Sequence, residues 1–204
     1  MKIVSLRSSD SDPTHLKERY YALRAQVFDA MTSEGHLYPK GADSYDERST
    51  THYYFAVEGE ELLGGARMVS RKPNSDEKLP FEEKFPHVLN PRRILFPHLD
   101  YDTLPCCEYT GLVVDPEARQ KGVGRELHDA LLKDFAEGKE GNKVLLATSA
   151  HTSQPLFEHY WPEKVTHAYG PPLMDGEYEL KTVLATNDPV LQLTPPPQSR
   201  WSGA

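Results

Sequence analysis

The chain has 204 residues, 38% of them apolar and 26% charged, and a formal net charge of −8. That length suits one domain, and the balance suits a globular protein rather than a disordered or fibrous one. With 31 acidic residues against 23 basic ones there is no basic footprint for non-specific nucleic-acid binding, and no run reaches the ~18 apolar residues of a membrane span.

Residues 2–6 read as a short first strand, too Ser-interrupted and brief for a secretory signal. A helix follows. Ser11 or Asp12 can cap it, Pro13 suits its first turn, and Leu16, Tyr20, Leu23, Val27 and Met31 recur at helical spacing. Residues 32–50 read as a polar loop. Then a hairpin is predicted: a strand at 52–58, a turn near Gly59 and a return at 61–71. The pair Gly64-Gly65 predicts a bulge or a close backbone approach there.

Residues 72–105 are long and Pro-punctuated. A structureless loop of that length is unusual in a compact domain, so this stretch is expected to hold a short helix at 80–85 and to serve as a lid or a wall of a substrate pocket. A central strand is predicted at 106–114, stopped by Asp115-Pro116. A helix at 121–137 follows, with Val123, Leu127, Ala130, Leu131 and Phe135 on one face and Gly138 as its stop.

A strand at 143–148, a short helix at 154–160 and strands near 164–169 and 177–185 complete the pattern. Strand, helix and strand between 106 and 148 imply one parallel pair with a crossover. The fold class is therefore α/β (α+β): a mixed, mostly antiparallel sheet flanked by helices. Residues 1–186 read as a single domain and 187–204 as a Pro-rich tail. Cys106 and Cys107 are the only cysteines; adjacent and without metal-ligand spacing, they read as reduced strand residues of a cytoplasmic protein.

The strongest motif lies between the central strand and its helix: Arg119-Gln120-Lys121-Gly122-Val123-Gly124. Glycines at this spacing let the backbone approach a ligand, and the helix start that follows favours anions. Arg119, Lys121 and Arg125 add positive charge, so the loop suits a diphosphate. A dinucleotide fingerprint and a Walker loop are both absent. A helix start whose glycines serve packing alone is the alternative.

The stretch LVVDPEARQKGVGRELHDALL (112–132) resembles the acyl-CoA-binding core of the GNAT N-acyltransferase superfamily. The resemblance implies that the backbone of Leu112, Val113 and Val114 bonds a pantetheine arm. It also implies that the amides of 120–125, from Gln120 to Arg125, hold a pyrophosphate. A narrower likeness lies upstream. LRAQVF (23–28), GADSYD (41–46), GGARM (64–68), LPFEEKFP (79–86) and CEYTGL (107–112) are similar to acyl-homoserine-lactone synthases and N-acyl amino acid synthases. The matching positions are Arg24, Phe28, Asp43, Asp46, Arg67 and Glu108. They imply an acidic–basic cluster at the wall of an amine and acyl-carrier site; a surface Arg–Asp network is the alternative.

Three departures stand out. Thr32–Gly35 replaces an expected Trp, Gly41 stands at a usually acidic position, and Gly111 stands where the synthases carry Arg.

Acyl transfer from a thioester needs a base for the amine, a donor for the oxyanion and, in some enzymes, an acid for the thiolate. Glu108, on the strand expected to carry the thioester, is the candidate base, and a backbone amide near Val113 the candidate oxyanion donor. The resemblance places the family's acidic Tyr at Phe157, which cannot donate a proton; Tyr160, His159 or water would then substitute, or no side-chain acid is used, as in the synthases. The nine histidines show no metal spacing, and no Gly-x-Ser-x-Gly motif supports a hydrolase. The resemblance implies an N-acyltransferase with acyl-CoA as co-substrate, acetyl-CoA first, a small-molecule amine as acceptor and no metal. Two alternatives stand: a synthase drawing on an acyl carrier protein, and a non-catalytic acyl-CoA sensor. The chain is expected to act as a monomer or homodimer away from membranes and nucleic acid.

Overall fold

The computed structural model of the chain describes residues 1–31, 41–85, 101–149, 153–175, 178–191 and 193. Residues 32–35, most of the expected lid (86–100), His151 and most of the Pro-rich tail lie outside the described residues. The strands are β1 (Lys2–Arg7), β2 (Thr51–Glu58), β3 (Glu61–Arg71), β4 (Cys106–Val114), β5 (Val144–Ser149), β6 (Thr166–Asp175) and β7 (Tyr178–Thr186). Among the described residues the α-helices are α1 (Leu16–Met31), α2 (Pro80–Lys84), α3 (Val123–Ala136) and α4 (Gln154–His159). Within the two units described below, the strand pairs are antiparallel except β4–β5, so the mixed, mostly antiparallel α/β arrangement expected from the sequence is the one formed. The chain makes two compact units, Met1–Val69 with Thr110–Leu131, and Ser70–Tyr109 with Leu132–Ala204.

In the first unit β1 runs antiparallel to β2, from Lys2↔Val57 to Arg7↔His52, and β2 antiparallel to β3. Ala56 faces Gly64 while Val57 faces Leu62. Leu63 is therefore the extra residue of a bulge, one position before the glycine pair. Its carbonyl accepts the Asp115 N–H at 2.9 Å. Close approach holds at both glycines. A Cβ on Gly64 would stand 2.7 Å from the Val113 carbonyl oxygen, and one on Gly65 would stand 2.6 Å from the Tyr20 ring.

Helix α1 begins later than its sequence signals suggest. Residues 12–15 form a turn with His15 at φ 53°, and the Asp12 carboxylate accepts the N–H groups of Leu16 (2.9 Å) and Lys17 (2.7 Å). Asp12 thus caps the helix across the turn, satisfying two first-turn amides that lack intrahelical partners, and Pro13 lies outside the helix. Leu16, Tyr20, Leu23 and Val27 are buried in one cluster with Tyr53, Phe55, Val57 and Val113. Burying each such side chain stabilises the unit by about 1.5–3 kcal/mol, so this stripe seats α1 on the sheet.

In the second unit the order is β4-β5-β7-β6. β4 pairs parallel with β5 from Cys106↔Val144 to Tyr109↔Ala147. Val144, Leu145, Leu146 and Ala147 are all buried, as an apolar run in a strand covered on both faces must be. β6 extends to Asp175, well past its expected end at 169. Gly138 (φ 67°) turns the chain out of α3, and Asn187 Nδ2 donates to the Phe135 and Asn142 carbonyls at 2.5 and 3.0 Å.

Candidate functional site

The anion-suited loop forms as a continuous device in the first unit. β4 ends at Val114, and Asp115 Oδ1 accepts the Glu117 N–H at 2.8 Å, opening a tight turn through Pro116–Ala118. The backbone then passes through two left-handed positions, Gln120 at φ 62° and Gly122 at φ 82°. A left-handed residue reverses the direction of its peptide plane, and α3 starts directly afterwards. The Glu126 N–H returns to the Gly122 carbonyl at 3.0 Å, so the amides of Val123, Gly124 and Arg125 form the first turn, whose N–H groups have no intrahelical acceptor. This turn carries the positive end of the helix dipole.

A Cβ on Gly122 would meet nothing within 4 Å, so the mouth of the loop is open. Arg119 and Lys121 are exposed, and among the described residues neither has an ion-pair partner; Arg125 pairs with Asp129 at 3.5 Å. Val123 and Leu127 turn inward and are buried, which anchors the loop from beneath.

The strand before the loop is shaped by Gly111. It sits at φ 69°, a conformation that costs a side-chain-bearing residue roughly 1–2 kcal/mol. A Cβ there would lie 2.3 Å from the Tyr20 hydroxyl, which donates to the Gly111 carbonyl at 2.6 Å. An Arg at this position would have to displace the Tyr20 hydroxyl from its bond to the Gly111 carbonyl and hold a positive φ. Gly41 has an equally physical reason: at φ 72°, its Cβ would stand 1.8 Å from the Tyr21 carbonyl oxygen.

Arg24, Asp43, Asp46 and Arg67 converge, also within the first unit. Arg24 Nη2 donates to Asp46 Oδ2 at 2.8 Å and pairs with Asp43 Oδ2 at 3.6 Å. Arg67 donates to both Asp43 oxygens, at 2.7 and 2.5 Å, and to Asp46 Oδ1. The Tyr53 hydroxyl lies 3.0 Å from Asp46 Oδ1. The alternative of a surface network is overturned: both arginines are fully buried and Asp46 is nearly so. Two positive and two negative charges compensate one another there, and Asp43 is the most open member, its side chain 24% exposed. Burial alone would raise the Asp43 pKa, but the bonds and charge of Arg67, with the charge of Arg24, hold it below the usual carboxylate value. Phe28, one turn beyond Arg24, is half-buried and packs on the α1 cluster.

The remaining candidates belong to the second unit. Glu108 is buried on β4, and its Oε2 accepts the Phe81 N–H at 2.7 Å, in the first turn of α2. Within α2 the Glu82 carboxylate returns to the Leu79 N–H at 2.9 Å. Phe157 is buried against Tyr109, ring centroids 5.3 Å apart. Its carbonyl accepts both the Trp161 indole N–H (2.6 Å) and the Tyr169 hydroxyl (2.7 Å). Tyr160 is half-buried at the end of α4, its N–H on the Leu156 carbonyl at 3.0 Å. Burial and the charges of Cys106 and Glu108 push the Cys107 thiol well up, so it is no ready thiolate nucleophile. Among the described residues, no group of three or more His, Cys, Asp or Glu could hold a metal ion, and no helix is long and apolar enough to cross a membrane.

Sequence reasoning missed Tyr20 as anything but a packing residue. Its hydroxyl reaches across 91 residues of chain to a glycine at positive φ, and neither the contact nor the φ is visible in sequence.

A family model described as the Acetyltransferase (GNAT) family matches residues 17–160. Among solved structures, an acyl-CoA N-acyltransferase from Pseudomonas aeruginosa superposes with a TM-score of 0.60 at 15% identity, over 90% of this chain and 99% of that one. The CoA-dependent acyl-homoserine lactone synthase BjaI, solved with SAM and isopentyl-CoA, gives 0.59 at 19% identity, over 93% and 84%. FeeM, an N-acyl amino acid synthase from uncultured soil microbes, gives 0.62 at 12%, over 91% and 90%. At these identities the likenesses speak for the fold. No curated protein matches the chain significantly.

Proposed function

The chain belongs to the acetyltransferase (GNAT) family, and on that premise we propose that it is an N-acyltransferase. It moves an acyl group from acyl-CoA to the amine of a small molecule by direct attack on the thioester. The observation that carries this reading is the loop of Gln120 and Gly122, both left-handed, which leads from β4 straight into the first turn of α3. The pyrophosphate of CoA is the ligand chemistry that such a loop suits: the amides of 120–125 bind it, with Arg119 and Lys121 beside them. The backbone of Leu112, Val113 and Val114 then carries the pantetheine arm, and an amide near Val113 meets the oxyanion.

Glu108 serves as the base, directly or through water. Its carboxylate holds the Phe81 N–H, a bond that orients it. Tyr160 is the candidate acid in place of the Tyr that Phe157 replaces. Acetyl-CoA is the first-choice donor.

A second reading, an N-acyl amino acid or homoserine-lactone type synthase with a longer or carrier-bound acyl chain, is favoured by the assembled Arg24–Asp43–Asp46–Arg67 quartet. The quartet frames the acceptor side, with Asp43 as its most open member and Phe28 one helical turn beyond Arg24. Gly111, standing where the synthases carry Arg, speaks against the lactone branch of this reading.

The test is a thermal-shift titration with CoA, acetyl-CoA and octanoyl-CoA on wild type and Gly122→Trp. Stabilisation by mass action that the variant loses supports the CoA site, and the ranking of acyl lengths chooses the donor. No shift with any CoA species sinks the CoA reading. Thiol release from the preferred thioester in the presence of an amine panel then separates an enzyme from a sensor.

A further inference from the structure

Tyr20 is a buried residue of α1 whose hydroxyl meets both the Gly111 carbonyl and the Arg24 guanidinium. Its ring packs edge-on against Tyr53 and Phe55, a job that phenylalanine would do as well. The hydroxyl donates to the Gly111 carbonyl at 2.6 Å. A buried hydroxyl is costly to leave without a partner, so the bond constrains both ends. The two glycines flanking Tyr20 are matched to it: a Cβ on Gly65 would strike its ring at 2.6 Å, and one on Gly111 its hydroxyl at 2.3 Å.

The consequence for β4 follows from peptide geometry. The Gly111 carbonyl and the Leu112 N–H belong to one planar trans unit and point in opposite directions. Fixing the carbonyl toward α1 therefore fixes the Leu112 N–H toward the other side. The next carbonyls are constrained too, because the Val113 oxygen lies against Gly64 and the Asp115 N–H is held by Leu63.

We propose that Tyr20 is a positioning residue for the acyl thioester: through the Gly111 carbonyl it sets the direction of the backbone donors at 112–114. This rests on the acyl-CoA reading given above. Gly111 bends the strand, and Tyr20 selects which bend is kept. The Arg24 guanidinium lies 5.3 Å from the Tyr20 ring centroid, so the ion quartet steadies the same side chain.

Tyr20→Phe keeps the ring and removes the hydroxyl. In ligand-free protein, hydrogen exchange at the 112–114 amides is expected to rise about tenfold, while β2 amides such as Phe55 keep their rates. Unchanged exchange at 112–114 overturns the proposal. A second arm uses two probes, 3′-phosphoadenosine 5′-diphosphate and CoA, which differ by the pantetheine arm. The variant is expected to keep the stabilisation by the first and to lose most of the extra stabilisation by the second. Equal loss for both, or for neither, overturns the positioning role. If wild type responds to neither probe, the acyl-CoA reading has failed, and the exchange arm still decides whether Tyr20 holds the Gly111–Leu112 peptide.

Gly111→Ala gives a third arm: its drop in Tm is expected to be smaller in the Tyr20→Phe background, where the hydroxyl it strikes is gone. Additive drops overturn the pairing.

Discussion

Arg67 grips Asp43 with two parallel bonds, Nη1 to Oδ1 at 2.7 Å and Nη2 to Oδ2 at 2.5 Å. The fork is fully buried on the arginine side, and the same Nη1 also reaches Asp46. Removing Arg67 therefore strands two carboxylates with only Arg24 between them. Arg67→Met is expected to cost about 3–5 kcal/mol, the range for breaking a buried pair from one side. Arg67→Lys keeps the charge but loses the fork and is expected to fall between. Urea unfolding of the three proteins checks this; a loss under about 1 kcal/mol for Arg67→Met would show that the quartet adds little to stability.

The acid limb of stability follows from Asp43. Its folded pKa is lowered, because the bonds and charge of Arg67 outweigh the burial that would raise it. A group of this kind stabilises above its unfolded pKa, about 3.9, and its contribution is lost as pH falls below that value through the folded one. Asp43→Asn is expected to be less stable at pH 7 and to lose less stability than wild type between pH 4 and 2. Parallel curves for the two proteins over that interval would remove Asp43 from the acid limb.

Periodicity made much of this molecule legible. The stripe Leu16, Tyr20, Leu23, Val27 is the buried face of α1, and the apolar run at 144–147 is a strand because nothing in it wants water. The loop before α3 was legible because its glycine spacing carries its own conformational meaning, realised at Gly122. The ion quartet was legible as a set of positions but not as a buried one. Charge patterning alone gives no burial, and Arg24 is hidden by its aromatic neighbours Tyr20 and Tyr21. The start of α1 was misplaced because Asp12 reaches over a turn, a cap that requires His15 at positive φ. The two departures at Gly41 and Gly111 looked like losses of charge. In three dimensions they are steric requirements, set by the Tyr21 carbonyl and the Tyr20 hydroxyl.

Glu108 offers a clean separation of two roles. As an acceptor it holds the Phe81 N–H; as a base it would take a proton from the amine. Glu108→Gln keeps an acceptor oxygen and removes the base, whereas Glu108→Ala removes both. If Glu108 is the base, both variants are expected to lose turnover by a factor on the order of 10² to 10⁴. Only Glu108→Ala should also speed hydrogen exchange at Phe81 and lose about 1–3 kcal/mol of stability. Full turnover in Glu108→Gln would reduce Glu108 to an anchor for α2.

Tyr20 also predicts an alkaline limb. Burial pushes its phenol up from 10.0 to about 12, the positive charges of Arg24 and Arg67 offsetting only part of the rise. Below pH 10 the phenol is protonated in both folded and unfolded chains, and its contribution to stability is complete. Between pH 10 and 12 the unfolded chain gives up the proton while the folded chain keeps it, so stability falls as pH rises, by about 3 kcal/mol in all. Tyr21 and Tyr53 are raised as well, again mainly by burial, so the wild-type slope contains all three. Tyr20→Phe isolates one of them. It is expected to be less stable than wild type at pH 8, where the hydroxyl's bond to Gly111 is intact, and to lose less stability between pH 10 and 12. Denaturant midpoints at pH 8, 10 and 11 make the comparison. A constant gap between the two proteins across that range would mean that the Tyr20 phenol ionises as it does in water, and the tight hold on the Gly111 carbonyl would be lost with it.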